Sequence, residues 1–146
     1  MSGWNVIVKV TRATRRSLVA VVLFTIHYSL FTSCSDGPSP EELASLAAKG
    51  YYDHLLNGEY DHFLEGMNGL DSIPDDFREQ LLTGYKQFMA LQDKAHLGIR
   101  EVRIANAKTD TIQKYTNVFL VLCFGDSTNE EVVVPMVERE GRWRMK

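Results

Sequence analysis

Hydrophobic and polar positions fall into three regimes along this 146-residue chain. From Ser17 to Ser33 there is no Asp, Glu, Lys or Arg, and Leu18 to Ile26 are nearly all apolar. From Leu43 to Phe88 apolar residues recur three and four apart, the spacing of one helix face. After Leu97 they recur at alternate positions, the period of a strand. A block of helices followed by a block of strands predicts an α+β domain with a meandering antiparallel sheet.

The first helix opens at Ser39-Pro40-Glu41-Glu42. Ser39 can cap it, Pro40 suits the first helical position, and Glu42 completes a capping box. Leu43, Leu46, Ala47, Gly50, Tyr51, His54 and Leu55 fall largely on one stripe, and Asn57-Gly58 ends the helix. A short second helix puts Tyr60, Phe63, Leu64 and Met67 on one face and closes between Gly66 and Gly69. A third opens at Ser72-Ile73-Pro74-Asp75-Asp76, with acids in the turn where the helix dipole favours them. Its stripe is Phe77, Leu81, Tyr85 and Phe88, and its end is expected between Gln92 and Ala95.

The first strand is expected over residues 97–108, bulged because Ile99 is out of phase with Val102 and Ile104, with a turn at Thr109-Asp110. Tyr115 to Phe124 is the strongest strand, rich in β-branched and aromatic residues. Residues 125–129 turn the chain, residues 130–138 return, and Glu140-Gly141 leads to a last strand around Trp143 and Met145. Pro135 cannot donate to a ladder and marks an edge or a bulge. The strongest strand is apolar on both faces, with Val118, Leu120 and Leu122 on one and Phe119, Val121 and Cys123 on the other. A sheet with helices on one side and water on the other alternates. Its outer face is therefore expected to meet a homodimer partner or another envelope protein, the alternative being a rim loop or helix of the same chain.

Residues 1–16 carry Lys9, Arg12, Arg15 and Arg16 and no acid. A positive segment, a short apolar core and then small residues are the layout of an export signal, with the positive end held inside. The rival, an uncleaved span, wants roughly 20 apolar residues, and this core is shorter and interrupted by Thr25, His27 and Ser29. Leu30-Phe31-Thr32-Ser33-Cys34 resembles the lipobox of bacterial lipoproteins, with Phe31 where Leu is usual. The resemblance implies that Cys34 is acylated and becomes the new N-terminus, carrying a diacylglycerol and an amide-linked chain. Stable anchoring requires two such signals. Ser35 after the Cys resembles an outer-membrane sorting signal. The expected organisation is a signal peptide over 1–33, a lipidated Cys34 with a polar tether over 34–39, and a domain over 40–146.

Removing 1–33 leaves 113 residues, enough for one modest domain. Twelve basic against nineteen acidic residues remain, a formal charge of −7. Nucleic acid and anionic lipid head groups attract basic patches, so nucleic acid is not an expected partner. Acylated Cys34 leaves Cys123 without a disulfide partner, and its apolar neighbours mark it as a buried small hydrophobe.

The run from Ala47 to Phe63, a helix, an Asn-Gly break and an aromatic second helix, resembles the NTF2-like (cystatin-like) superfamily, and in particular small lipoproteins common in Bacteroidetes. The ending Glu140-Gly141-Arg142-Trp143-Arg144-Met145-Lys146 is similar to that family's last strand. The resemblance covers nearly all of residues 40–146. It implies three N-terminal helices packed on a curved four-stranded antiparallel sheet, a cone. The family hosts enzymes, carriers and adaptors, so the fold does not select a function.

No nucleotide-binding, zinc-protease, calcium-loop or paired-Cys motif occurs, and no cofactor is expected. Gly125-Asp126-Ser127 resembles one lipase nucleophile segment, but no His follows His96, and these residue types form turns. His54 and His62 each follow an Asp, yet Asn57-Gly58 separates them and two imidazoles fall short of a zinc set; no metal is expected. Tyr51, His54 and Tyr85 lie on apolar helix faces and are the candidate pocket residues, His54 as a base. The competing reading is that they finish an amphipathic core. The chain thus reads as a membrane-tethered envelope lipoprotein with a non-enzymatic binding or interaction domain. The alternative is a small pocket enzyme of isomerase, dehydratase or hydrolase type.

Overall fold

The computed structural model describes residues 37–70 and 72–146. The export segment, Cys34 and the start of the tether lie outside the described residues. Residues 38–146 form one compact unit.

Helix α1 spans Pro40–Leu56, and Ser39 caps it as its spacing requires, its hydroxyl accepting from the Glu42 amide at 3.1 Å. Glu41 instead reaches across to the sheet, where Thr109 donates to its carboxylate. Gly58, with a φ of 77°, reverses the chain so that the Glu59 amide donates to the His54 carbonyl at 2.9 Å. Helix α2, Tyr60–Glu65, follows and buries Phe63 and Leu64. Helix α3 spans Asp75–His96 and buries no side chain fully, Tyr85 and Met89 packing only partly against the core. It runs past the expected end because Lys94, Ala95 and His96 propagate a helix. The stop is set by Leu97 and Gly98, both left-handed at φ 59° and 79°.

Four strands follow in an antiparallel meander, β1 (Ile99–Asp110), β2 (Tyr115–Phe124), β3 (Asn129–Arg139) and β4 (Arg142–Met145). Register shifts in β1 fall between Ile99 and Glu101 and between Ile104 and Asn106. The first is what lets Ile99 and Val102 both face the core, opposite Phe124 and Leu122. β1 extends two residues beyond its expected end, and the turn moves to residues 111–114. There the Asp110 carboxylate accepts from the Ile112 and Gln113 amides, both at 2.9 Å. Pro135 sits in β3 opposite Asn117, and its carbonyl accepts from Lys146 just beyond the end of β4. β3 is an inner strand and its register is unbroken here, so Pro135 marks neither an edge strand nor a bulge; the donor it lacks falls where β4 ends.

The core forms between α1 and the inner face of the sheet. Ala44 and Ala48 are fully buried and bring α1 close to Val118, Leu120, Met136 and Met145. The edge of β4 is covered by residues 66–68. Met145 donates to the Gly66 carbonyl and Asn68 to the Met145 carbonyl, both at 2.7 Å, which removes an exposed sheet edge. Three helices on a four-stranded antiparallel sheet are the architecture expected from the sequence. On the outer face Phe119, Val121 and Val137 are half-buried, while Val133 is 51% exposed.

Candidate functional site

Because α3 stands off the sheet, an apolar cleft of about 450 Å³ opens between it, α1, α2 and strands β2 and β3. Its α3 wall is Leu81, Gly84, Tyr85 and Phe88, one helical stripe. Its other walls include Leu55, Phe63, Leu122 and Val132. The volume falls within the range of small-molecule pockets, and the lining is of the apolar kind such pockets use.

An aromatic chain floors one end. Tyr52 meets Phe63 edge-on at 5.5 Å between ring centres, and Phe63 meets Tyr85 edge-on at 4.9 Å, the geometry the ring quadrupoles favour. Burial pushes both tyrosine hydroxyls up from their ordinary value, and for Tyr52 the neighbouring Tyr85 adds to it. Both stay protonated at neutral pH. The Tyr85 hydroxyl points to the Met67 sulfur at 3.9 Å.

The three residues singled out from sequence are separated. Tyr85 lines the cleft. Tyr51 lies under Gly66 and donates its hydroxyl to the Trp143 carbonyl at 2.9 Å, an anchor between α1 and β4. His54 faces outward, 2.5 Å from the Glu59 carboxylate. Its stripe places it correctly on α1, but the stripe is wider than the core contact. Conversely, the reversal at Gly58 brings His54 and His62 together, with ring centres 5.2 Å apart. His62 meets Glu65 at 3.3 Å. Among the described residues no group of three His, Cys, Asp or Glu is placed to hold a metal.

His96 approaches Asp126 at 2.9 Å, and hydrogen bonds from Thr128 and His96 hold the Asp126 carboxyl down to about 2. That is the base-and-acid half of a hydrolytic triad. The adjacent Ser127 makes no hydrogen bond to His96, and its φ of 69° serves the turn. Cys123 is buried on β2. Tyr52, Phe63 and Gly84 were not singled out from sequence. Gly84 had a readable signal, a helix-weakening glycine inside the stripe of Leu81, Tyr85 and Phe88.

No family model matches the chain, and no curated protein does. It is similar to a solved structure from Campylobacter jejuni described as a "putative NTF2-like transpeptidase". The TM-score is 0.54 and the identity 12%, over 67% of this chain and 92% of that one. At that identity the likeness establishes the fold, an NTF2-like α+β domain.

Proposed function

We propose that this chain is a membrane-tethered envelope lipoprotein whose NTF2-like domain is a non-enzymatic binding module, holding an apolar ligand between α3 and the sheet. The observation that carries the reading is the cleft itself: about 450 Å³, walled almost wholly by apolar side chains. Acid–base chemistry needs a group that changes protonation near the working pH. The cleft offers only Tyr52 and Tyr85, both pushed away from that range. A transpeptidase activity, the one named for the C. jejuni protein, would find no accessible thiol nucleophile in the described residues, since Cys123 is buried.

The test is titration of a chain beginning at Ser35 with the neutral fluorophore N-phenyl-1-naphthylamine. One saturable site, lost in Gly84→Leu, is expected; unsaturable partitioning overturns the binding reading. Tethering is tested separately by labelling growing bacteria with radioactive palmitate. Label that survives Cys34→Ala would exclude acylation at that residue.

A further inference from the structure

Beside the apolar cleft lies a second hollow of about 270 Å³, lined by Leu64, Glu65, Leu70, Arg78, Arg142 and Arg144. Met67 lines both. Half of the domain's six arginines thus converge on one hollow of a chain whose domain carries a formal charge of −7. They come from different elements, Arg78 from the first turn of α3 and Arg142 and Arg144 from β4. Arg78 pairs with the exposed Asp61 at 2.8 Å, and Arg144 donates to the Glu65 carbonyl at 3.3 Å. The Glu65 carboxylate is turned to His62. Arg142 is exposed at the mouth.

We propose that cleft and hollow form one bipartite site for an anionic amphiphile, a ligand with a single apolar chain and a carboxylate or phosphate head. The inference rests on the cleft reading above and names the ligand class of that site. The chain lies among Leu55, Phe63, Leu81 and Phe88. The head sits among the guanidinium groups, whose planar donors match either oxyanion. Met67 is the residue between them, and an unbranched thioether with three rotatable bonds adapts to a chain passing over it. The arrangement answers the charge balance of the domain: an acidic protein repels anions everywhere except where its arginines are gathered.

The experiment compares 11-(dansylamino)undecanoic acid with its neutral carboxamide, which differs only in the head, on the chain beginning at Ser35. The acid should bind about tenfold more tightly, the scale of one charge-assisted hydrogen bond at a partly exposed site. Arg142→Gln should erase most of that advantage while leaving the carboxamide unchanged. Arg142 is exposed, so its variant keeps the core, which circular dichroism verifies. Equal affinity for both probes, or an advantage that persists in Arg142→Gln, overturns this proposal and leaves the apolar cleft standing. Absence of binding by either probe overturns both. Displacement by lysophosphatidic acid or by decanoate tells a phosphate head from a carboxylate. Inorganic phosphate binding as tightly as either would mean a free-anion site and overturn the amphiphile.

Discussion

Gly84 stands in the middle of α3, lines the cleft, and has nothing within 4 Å of where a Cβ would lie. A glycine in a helix interior is about 0.5–1 kcal/mol less favourable than alanine. Gly84→Ala places its methyl in open space, so no clash offsets the gain in propensity. For a domain of this size, 1 kcal/mol corresponds to a rise of roughly 4 °C in melting temperature. Gly84→Leu keeps nearly the same propensity and puts a whole side chain into the cleft. It should be at least as stable as the wild type and lose saturable N-phenyl-1-naphthylamine binding. Gly50 supplies the control: it lies within α1, also opens onto nothing within 4 Å, and does not line the cleft. Gly50→Ala should gain similar stability and bind the probe as before. The assay is thermal unfolding followed by circular dichroism, with probe titration on all four proteins. A Gly84→Ala melting temperature several degrees below wild type would refute the reasoning, because the methyl would then be meeting packed atoms. Unchanged probe binding by Gly84→Leu would place the probe elsewhere.

Tyr51→Phe removes the hydrogen bond to the Trp143 carbonyl and should lower stability by about 1 kcal/mol; an unmoved urea midpoint would mean that the anchor contributes nothing. Gly66→Ala drives a methyl into the same tyrosine ring, an overpacking that should cost about 1–3 kcal/mol and be relieved in a Tyr51→Ala background. Asp126 is held down from 3.8 to about 2 in the folded state. Its contribution is therefore present above its ordinary value and lost as pH falls toward 2. The stability gap between wild type and Asp126→Asn should narrow over that interval and be flat above it; a gap independent of pH contradicts the assignment. On the outer sheet face, Val133 is half exposed amid Phe119, Val121 and Val137. If a second copy covers it, sedimentation at rising concentration shows a dimer that Val133→Glu dissolves, and a monomer throughout excludes the homodimer.

Legibility in the sequence followed the range of the interactions. The cap at Ser39 and the bounds of β2 rest on neighbours a few residues apart, and both appear where the residues place them. The first bulge was readable because a slipped phase between Ile99 and Val102 admits no other way to bury both. The end of α3 was not, since it depends on Leu97 adopting a left-handed backbone that no local preference of leucine foretells. Direction within a helix face was lost for the same reason. Tyr51 turns to a carbonyl 92 residues away, and His54 to a carboxylate beyond the reversal at Gly58. The cleft depends on the gap between α3 and the sheet, which no residue pattern encodes. The arginine hollow needs α3 and β4 to meet at one corner.

That gap has a physical origin in how α3 is held. At its start Arg78 pairs with Asp61 of α2, and the Pro74 carbonyl receives the first helical bonds. At its end, Asp126 donates its amide to the His96 carbonyl at 3.0 Å, and Gly125 donates to Gly98 at 2.8 Å. The carbonyl of Leu97 passes so close to Gly125 that any side chain there would strike it. Between these fixings run twenty-two residues with no fully buried side chain. A helix that owed its place to core packing would close on the sheet and bury Leu81, Tyr85 and Phe88. One fixed at both ends by backbone and ion-pair contacts holds its apolar stripe over a space it does not fill. The stripe then remains only partly buried, at a cost of about 25 cal/mol for each Å² left in water, and a ligand entering the cleft recovers that free energy. The same feature that leaves α3 weakly packed is what gives the domain apolar surface to spend on binding.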